Sequence, residues 1–202
     1  MVELDTRTDF LKYMSSVIPR DSVCVEVGVL DGEFSAEILE HIKPKKLYLI
    51  DPWKTGSDKN GKQRRYYGPN ANIKTAYSNQ RRLDLVKNRF SEEISKGQVE
   101  LKRGFSYEVI DEFPDNYFDF VYIDACHLYD CVKADLNMFY PKLISSGSFM
   151  CGHDYADQEK NRTYVRSNFG VVQAVDEFVS QHSLKWEAKM TGEPFQDWAL
   201  RR

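Results

Sequence analysis

The chain has 202 residues, 42% of them hydrophobic and 29% charged, with a formal net charge of −3, the balance of a water-soluble globular protein with a sizeable core. No apolar run approaches the roughly 18 residues of a membrane span, and residues 1–10 carry three acids and no apolar h-region. Cys24, Cys126, Cys131 and Cys151 form no C-x-x-C pair, so reduced thiols, no membrane span and a cytoplasmic location are expected.

Leu4, Phe10, Leu11, Met14, Val17 and Ile18 fall at helical spacing, and Pro19 closes that helix. Residues 23–27 read as a buried strand and residues 28–32 as a turn. Phe34, Ile38, Leu39 and Ile42 mark the inner face of a helix that Pro44 ends. Residues 47–50 form a second strand that stops at Asp51. Residues 52–72 are polar and glycine-containing, a loop or lid, and a helix is expected over about 73–95. A third strand covers 98–102, with Gly104 after it, and a fourth covers 119–123. Leu128, Cys131, Val132, Leu136 and Phe139 mark a helix, and 147–151 a fifth strand. Val171, Val172, Val175, Phe178 and Val179 mark another helix. Residues 184–190 and 195–200, split by Thr191-Gly192-Glu193-Pro194, read as an antiparallel hairpin.

Strands alternating with helices imply an α/β fold. The expected form is a Rossmann-like, seven-stranded, mostly parallel sheet with helices on both faces and a C-terminal antiparallel hairpin. One domain over 1–202 is expected, with 52–95 as a basic lid or substrate segment inserted after strand two. Residues 54–89 hold ten Lys/Arg against Asp58 and Asp84, a local +8 that leaves −11 for the rest of the chain.

Two apolar runs end in acid and histidine. Phe120–Ile123 leads into Asp124 and His127, and Ser148–Gly152 into His153 and Asp154. As neighbouring parallel strands they would set two carboxylates and two imidazoles on the carboxyl rim, where open α/β sheets bind ligands. Asp124 and Asp154 can bridge a divalent cation, with His153 as a third ligand. His127 is the candidate general base, with Asp124 beside it. A strand-end cap and a helix-turn histidine are the plain alternatives. A zinc site from the cysteines and His153 matches no structural zinc spacing.

At the other end, Glu26-x-Gly28-x-x-x-Gly32 joins the first strand to its helix, and Asp51 ends strand two, placed to accept from ribose hydroxyls. A tight turn and a capping acid would look the same. The spacing is not the dinucleotide G-x-G-x-x-G, and Glu26 would repel a pyrophosphate but suit a cationic, amino-acid-bearing ligand.

Val25–Ser35, Leu49–Trp53, Arg103–Ser106, Tyr122–His127, Gly152–Tyr155 and Gly170–Val175 together resemble class I S-adenosylmethionine-dependent methyltransferases of methyltransferase family 24. They are also similar to metal-dependent sugar O-methyltransferases. The resemblance implies a methyltransferase that uses S-adenosyl-L-methionine, with a divalent cation, Mg or Mn, as a second expected cofactor. Glu26, Gly28 and Gly32, with Ser35, would line the methionine part, and Asp51 would hold the ribose with Trp53 nearby. Gly104 and Ser106 would lie beside adenine, and Asp124 would touch the cofactor as well as the metal. His153 stands where the similar sugar methyltransferases carry an acid.

The expected reaction is O-methylation of a sugar, glycan or other polyol hydroxyl, with a small-molecule or glycan substrate as partner. The basic stretch suits an anionic substrate, with Arg64, Arg65 and Tyr155 as substrate contacts. A metal-independent O- or N-methyltransferase is the alternative, and an RNA or anionic-partner binding module is the alternative of another class. Nucleic acid is disfavoured because the chain is not basic overall. A homodimer is left open.

Overall fold

The computed structural model describes residues 1–202 except 55, 58–62, 65–72, 157–168 and 193–194, and leaves the side chains of 55–78 undescribed. Thr6 caps the first helix, α1 (Arg7–Val17), its hydroxyl accepting from the Asp9 N–H at 3.1 Å. The helix stops one residue before Ile18, which is extended because Pro19 follows it. Strand β1 (Val2–Leu4) precedes α1, so Leu4 belongs to a strand and not to the helix its spacing suggested.

The sheet that follows is built from β2 (Val23–Val27), β3 (Lys46–Asp51), β6 (Val99–Arg103), β7 (Phe120–Ile123), β8 (Phe149–Gly152), β9 (Lys185–Met190) and β10 (Trp198–Arg201). Its order is β1-β9-β10-β8-β7-β2-β3-β6. Only β10 runs against its neighbours, β8 and β9; the other pairings are parallel. The expected seven strands and hairpin are present, and β1 adds an eighth strand beside β9.

Side chains alternate across the strands. Cys24, Leu47, Leu49, Phe120, Tyr122 and Phe149 join Phe10, Met14 and Ile38 on one face. Val25, Val27, Ile50, Val121, Ile123 and Met150 join Leu136, Phe139 and Phe178 on the other. These strands are near-continuous apolar runs because both faces are covered. Each fully buried Leu, Ile or Phe contributes roughly 1.5–3 kcal/mol of transfer free energy.

Helix α2 (Glu33–His41) starts from Gly32, which sits at φ 74°. Its expected stop before Pro44 is made by Lys43, at φ 54°. The helix expected over 73–95 is two helices, α3 (Ile73–Arg89) and α4 (Ser91–Ser95). The break falls at Phe90, whose ring is buried against the Gly32 turn. The loop at 52–72 contains a short antiparallel pair, β4 (Gly56–Ser57) with β5 (Gln63–Arg64). A short helix, α5 (Ser106–Val109), was not expected; α6 (Tyr129–Phe139) and the last helix, Val171–His182, were. Among the described residues, no helix is long and apolar enough to cross a membrane.

The chain crosses from β3 and β6 on one side of β2 to β7 on the other, so the topological switch lies between β2 and β7. Ligands bind at such a point, outside the carboxyl ends of the strands.

Candidate active site

A cleft of about 520 Å³ opens at that switch point, within the usual range for small-molecule sites. Its floor is the loop after β2. The Gly28 N–H donates to the Ile50 carbonyl at 2.9 Å, and the Asp124 N–H donates to the Val27 carbonyl at 2.8 Å. Gly28 sits at φ 94°, and a Cβ there would collide with the backbone carbonyl of Asp124. The glycine is therefore required by the approach of β7, and it sets the height of Asp124 on the rim.

Asp51 organises the same loop. It is 3% exposed, and its Oδ2 accepts from the N–H groups of Val29 and Leu30 at 3.0 and 3.1 Å, while its Oδ1 accepts from Trp53 N–H at 2.7 Å. The loop's N–H groups thus form an anion nest already filled by the protein's own carboxylate. Trp53 is buried, and its indole N–H donates to the Leu30 carbonyl at 3.0 Å, bracing the loop from behind. Gly32 lies against Phe90 and Val86, away from the cleft wall.

Glu26 lines the cleft and is 2% exposed. The buried Ser35 hydroxyl donates to it. Burial raises its pKa well above the usual carboxyl range, the Ser35 bond opposes this, and the nearby charges of Asp124 and Asp51 push it further up. Burial thus works against the charge of a carboxyl that lines the cleft, and a cation beside it would work the other way.

Asp124, His127 and Asp154 form the reacting cluster. Strands β7 and β8 pair in parallel with Ile123 opposite Gly152, which brings Asp124 and Asp154 onto one rim as expected. One ligand atom from each of the three residues lies within 4.8 Å of the others. His127 Nε2 is 3.3 Å from Asp124 Oδ1 and 2.9 Å from Asp154 Oδ2. Asp124 and His127 line the cleft, and Asp154 is buried behind them. Asp154 has φ 60°, a left-handed conformation that is costly outside glycine, Asn and Asp. His153 sits beside the cluster, with Nδ1 3.6 Å from Asp154 Oδ1 and 3.9 Å from Asp124 Oδ2, and Nε2 4.0 Å from Asp197. The compact group thus contains His127, with His153 flanking it.

Burial alone would lower the pKa of His127, but its bonds to Asp124 and Asp154 outweigh burial and push it up to about 10. Burial opposes ionisation of Asp154, and the two histidines overcome it, holding that acid below its usual range. An imidazolium therefore stands between two carboxylates, where a divalent cation would do the same electrostatic work. Its folded pKa of about 10 lies above the ordinary 6.5, so its stabilisation is complete below about pH 6.5 and fades as pH rises through 10. Cation-free protein is expected to lose thermal stability across that window, with a smaller loss in His127→Gln. Thermal denaturation at a series of pH values checks this, and identical profiles would contradict the buried imidazolium.

Ser106, at the start of α5, and Gly104 line the far end of the cleft. Tyr155 turns away, its hydroxyl donating to Asp176 at 2.7 Å and its ring edge-on to Trp186. Arg65 and the side chain of Arg64 lie outside the described residues. The sequence reading missed Asp135, on α6, and Arg7, which lines the cleft over the Phe34 ring and pairs with the buried Asp197 at 3.1 Å. Their partners are 29 and 190 residues away, so no local pattern could reveal them.

Solved structures with this fold include the O-methyltransferase NovP (17% identity, TM-score 0.61, 97% of this chain and 79% of that one covered). A protein from Staphylococcus aureus described as a candidate caffeoyl-CoA O-methyltransferase is similar (14%, 0.63, 100% and 86%). So is fibrillarin from Aeropyrum pernix, solved with bound S-adenosyl-L-methionine (9%, 0.57, 95% and 73%). No curated protein sequence matches the chain. The fold is thus that of the class I methyltransferases. Residues 25–155 match the methyltransferase domain model, and the chain belongs to that family. The matched span runs from β2 through the Asp51 nest to Asp124, His127 and Asp154.

Proposed function

We propose that this chain, as one domain, is an S-adenosylmethionine-dependent O-methyltransferase acting on a hydroxyl of a sugar, glycan or other small polyol. The observation that carries the reading is Asp124: its backbone closes on Gly28 in the cofactor loop, and its carboxylate belongs to the cluster with His127 and Asp154. One residue therefore joins a nucleoside-sized cleft to an acid–imidazole centre.

The cleft fits the methyl donor. Glu26 suits the ammonium of a methionyl group, and Asp51 lines the cleft where ribose hydroxyls would lie. Because Asp51 fills the loop's anion nest, no cradle is left for a pyrophosphate, which disfavours a dinucleotide. Ser35 and Trp53 act from behind, holding Glu26 and the loop. S-adenosylmethionine supplies a methyl group on a sulfonium, open to in-line attack by an oxygen.

The chain must then take a proton from a weakly acidic hydroxyl. His127 is the base in the form that has lost its own proton, which Asp124 and Asp154 hold up to about pH 10, so transfer is expected to quicken as pH rises toward that value. The two carboxylates with an imidazole also fit a divalent cation, and the nitrogen donor suits Mn²⁺, Fe²⁺ or Zn²⁺ better than Mg²⁺. Such a cation lowers the pKa of a bound hydroxyl. The local +8 of residues 54–89 suits an anionic group on the acceptor, with Arg64 and Arg65 as its clamp.

Calorimetric titration with S-adenosylhomocysteine, with and without Mn²⁺, tests the reading, followed by methyl transfer to a panel of polyols. Binding of the nucleoside and transfer to an oxygen are expected; no binding sinks the proposal. A metal-free form of the reaction is the second reading, favoured by the 2.9 Å pair of His127 and Asp154, which already balances the acid charge. Transfer that survives a chelator selects that form.

A further inference from the structure

The wall of the cleft beside the reacting cluster carries a guanidinium that the proposed reaction does not use. Arg7, the first residue of α1, lines the cleft with 28% of its side chain exposed. Its Nε and Nη2 donate to Asp197 Oδ2 and Oδ1 at 3.1 and 3.3 Å, and its guanidinium carbon stands 4.7 Å from the centre of the Phe34 ring. Asp197 is fully buried and also accepts from the Tyr122 hydroxyl. A side-on pair of this kind fixes the guanidinium plane and occupies only one of its edges. Among the described residues, Nη1 makes no hydrogen bond. A positioned arginine with spare N–H groups in a cleft calls for an oxyanion.

The place of Arg7 says which ligand carries that group. Glu26, Asp51 and Ser106 belong to β2, β3 and the residues after β6, the side of the switch point given to the methyl donor. The polar partners of Arg7 stand on the other side. Tyr122 belongs to β7, and Asp197 precedes β10, where Trp198 pairs with Gly152 of β8. Asp197 Oδ1 is 4.0 Å from His153 Nε2, and the charge of Asp124 acts on Arg7. The guanidinium thus belongs to the wall around the reacting groups. It is also the one arginine or lysine among the described lining residues, whereas Asp31, Glu33, Asp124 and Asp130 line the same space. Such a cleft repels an anionic group except at Arg7, which fixes the way round that an acidic ligand can enter.

We propose that Arg7, oriented by Asp197, binds an acid group of the methyl acceptor, a carboxylate or a phosphate. This inference rests on the reading of the cleft as a methyl-transfer site. The acceptor class is then an acidic sugar, a uronate or a sugar phosphate, with its acid held at Arg7 and a hydroxyl turned toward the cluster. Arg7 is thus a specificity-determining residue for the acceptor.

The test is calorimetry on protein saturated with S-adenosylhomocysteine, comparing galacturonate with galactose and glucose 6-phosphate with glucose. The wild type, Arg7→Gln and Arg7→Lys are measured, and thermal melting checks that each is folded. Arg7→Lys keeps a cation beside Asp197 and decides the matter if the Gln variant does not fold. The wild type is expected to bind at least one acid roughly 10- to 100-fold more tightly than its neutral partner, the worth of one charge-assisted hydrogen bond. Which acid gains separates carboxylate from phosphate. Arg7→Gln should abolish the preference, and Arg7→Lys, without the planar fork, should cut it to a few-fold. No preference in the wild type, or an unchanged preference in the folded variants, overturns the assignment. So does a loss of S-adenosylhomocysteine affinity in Arg7→Gln as large as the loss for the acid, which would give Arg7 to the methyl donor. These failures leave the methyl-transfer reading standing, whereas a wild type that binds no S-adenosylhomocysteine refutes both.

Discussion

Asp154→Asn is expected to lower kcat/KM for methyl transfer by roughly 10²- to 10⁴-fold, the range for loss of general acid–base or cation-assisted activation. The fold should survive the change. Position 154 has φ 60°, and Asn is among the residues that tolerate that conformation. What is lost is the charge 2.9 Å from His127 Nε2. With one carboxylate instead of two, the imidazole falls back toward its ordinary pKa, and a cation loses one of its oxygen ligands. Two measurements separate these effects. A shifted pH profile that is indifferent to Mn²⁺ points to the base, whereas partial rescue by excess Mn²⁺ points to the cation. S-adenosylhomocysteine affinity should change little, because Asp154 lies behind the cleft wall. A variant within a few-fold of wild type would remove the cluster from the reaction.

The second large effect is expected at Glu26. Glu26→Gln should weaken S-adenosylhomocysteine by about 10- to 100-fold, the worth of one charge-assisted hydrogen bond. The isosteric amide fills the same space and its oxygen can still accept from the Ser35 hydroxyl, so stability should hold. Burial pushes that carboxyl well above its usual range, and a cation beside it would pull it back down. Ligand binding to the wild type should therefore release a proton, seen as a binding enthalpy that depends on the ionisation heat of the buffer. In the Gln variant that dependence should vanish. Buffer-independent heats for both proteins, with equal affinities, would rule out an ammonium beside Glu26.

The sheet was legible in the sequence because its central strands are buried on both faces and so appear as unbroken apolar runs ending at acids. Val2–Leu4 escaped notice since three residues at a sheet edge carry too little alternation to read. The division of α3 from α4 at Phe90 reflects a tertiary demand, the ring filling the space above Gly32. Site residues divided in the same way. Glu26, Asp51, Asp124 and Asp154 stand at or just beyond strand ends, a placement on the rim that the strand pattern reveals. Gly32, Ser35 and Trp53 share the motif but support the wall from behind, a distinction set by packing depth. Asp135 lies on a helix of which the sequence marks only the apolar face; the burial of its carboxylate is what distinguishes it.

The insertion of β10 between β8 and β9 has a consequence for how the molecule matures. The cofactor shelf draws on residues 23–124, since the loop at Gly28 packs against the Asp124 backbone. Arg7 waits for Asp197 across 190 residues, and β1 has no strand to join until β9 is present. During synthesis the nucleoside shelf has its parts long before the far wall does, and Arg7 enters the cleft with its charge unmatched. Contacts of such long separation form slowly. The first and last parts of the chain therefore meet only when synthesis is nearly complete, and the Arg7–Asp197 pair beside the cleft is among the contacts that wait for it.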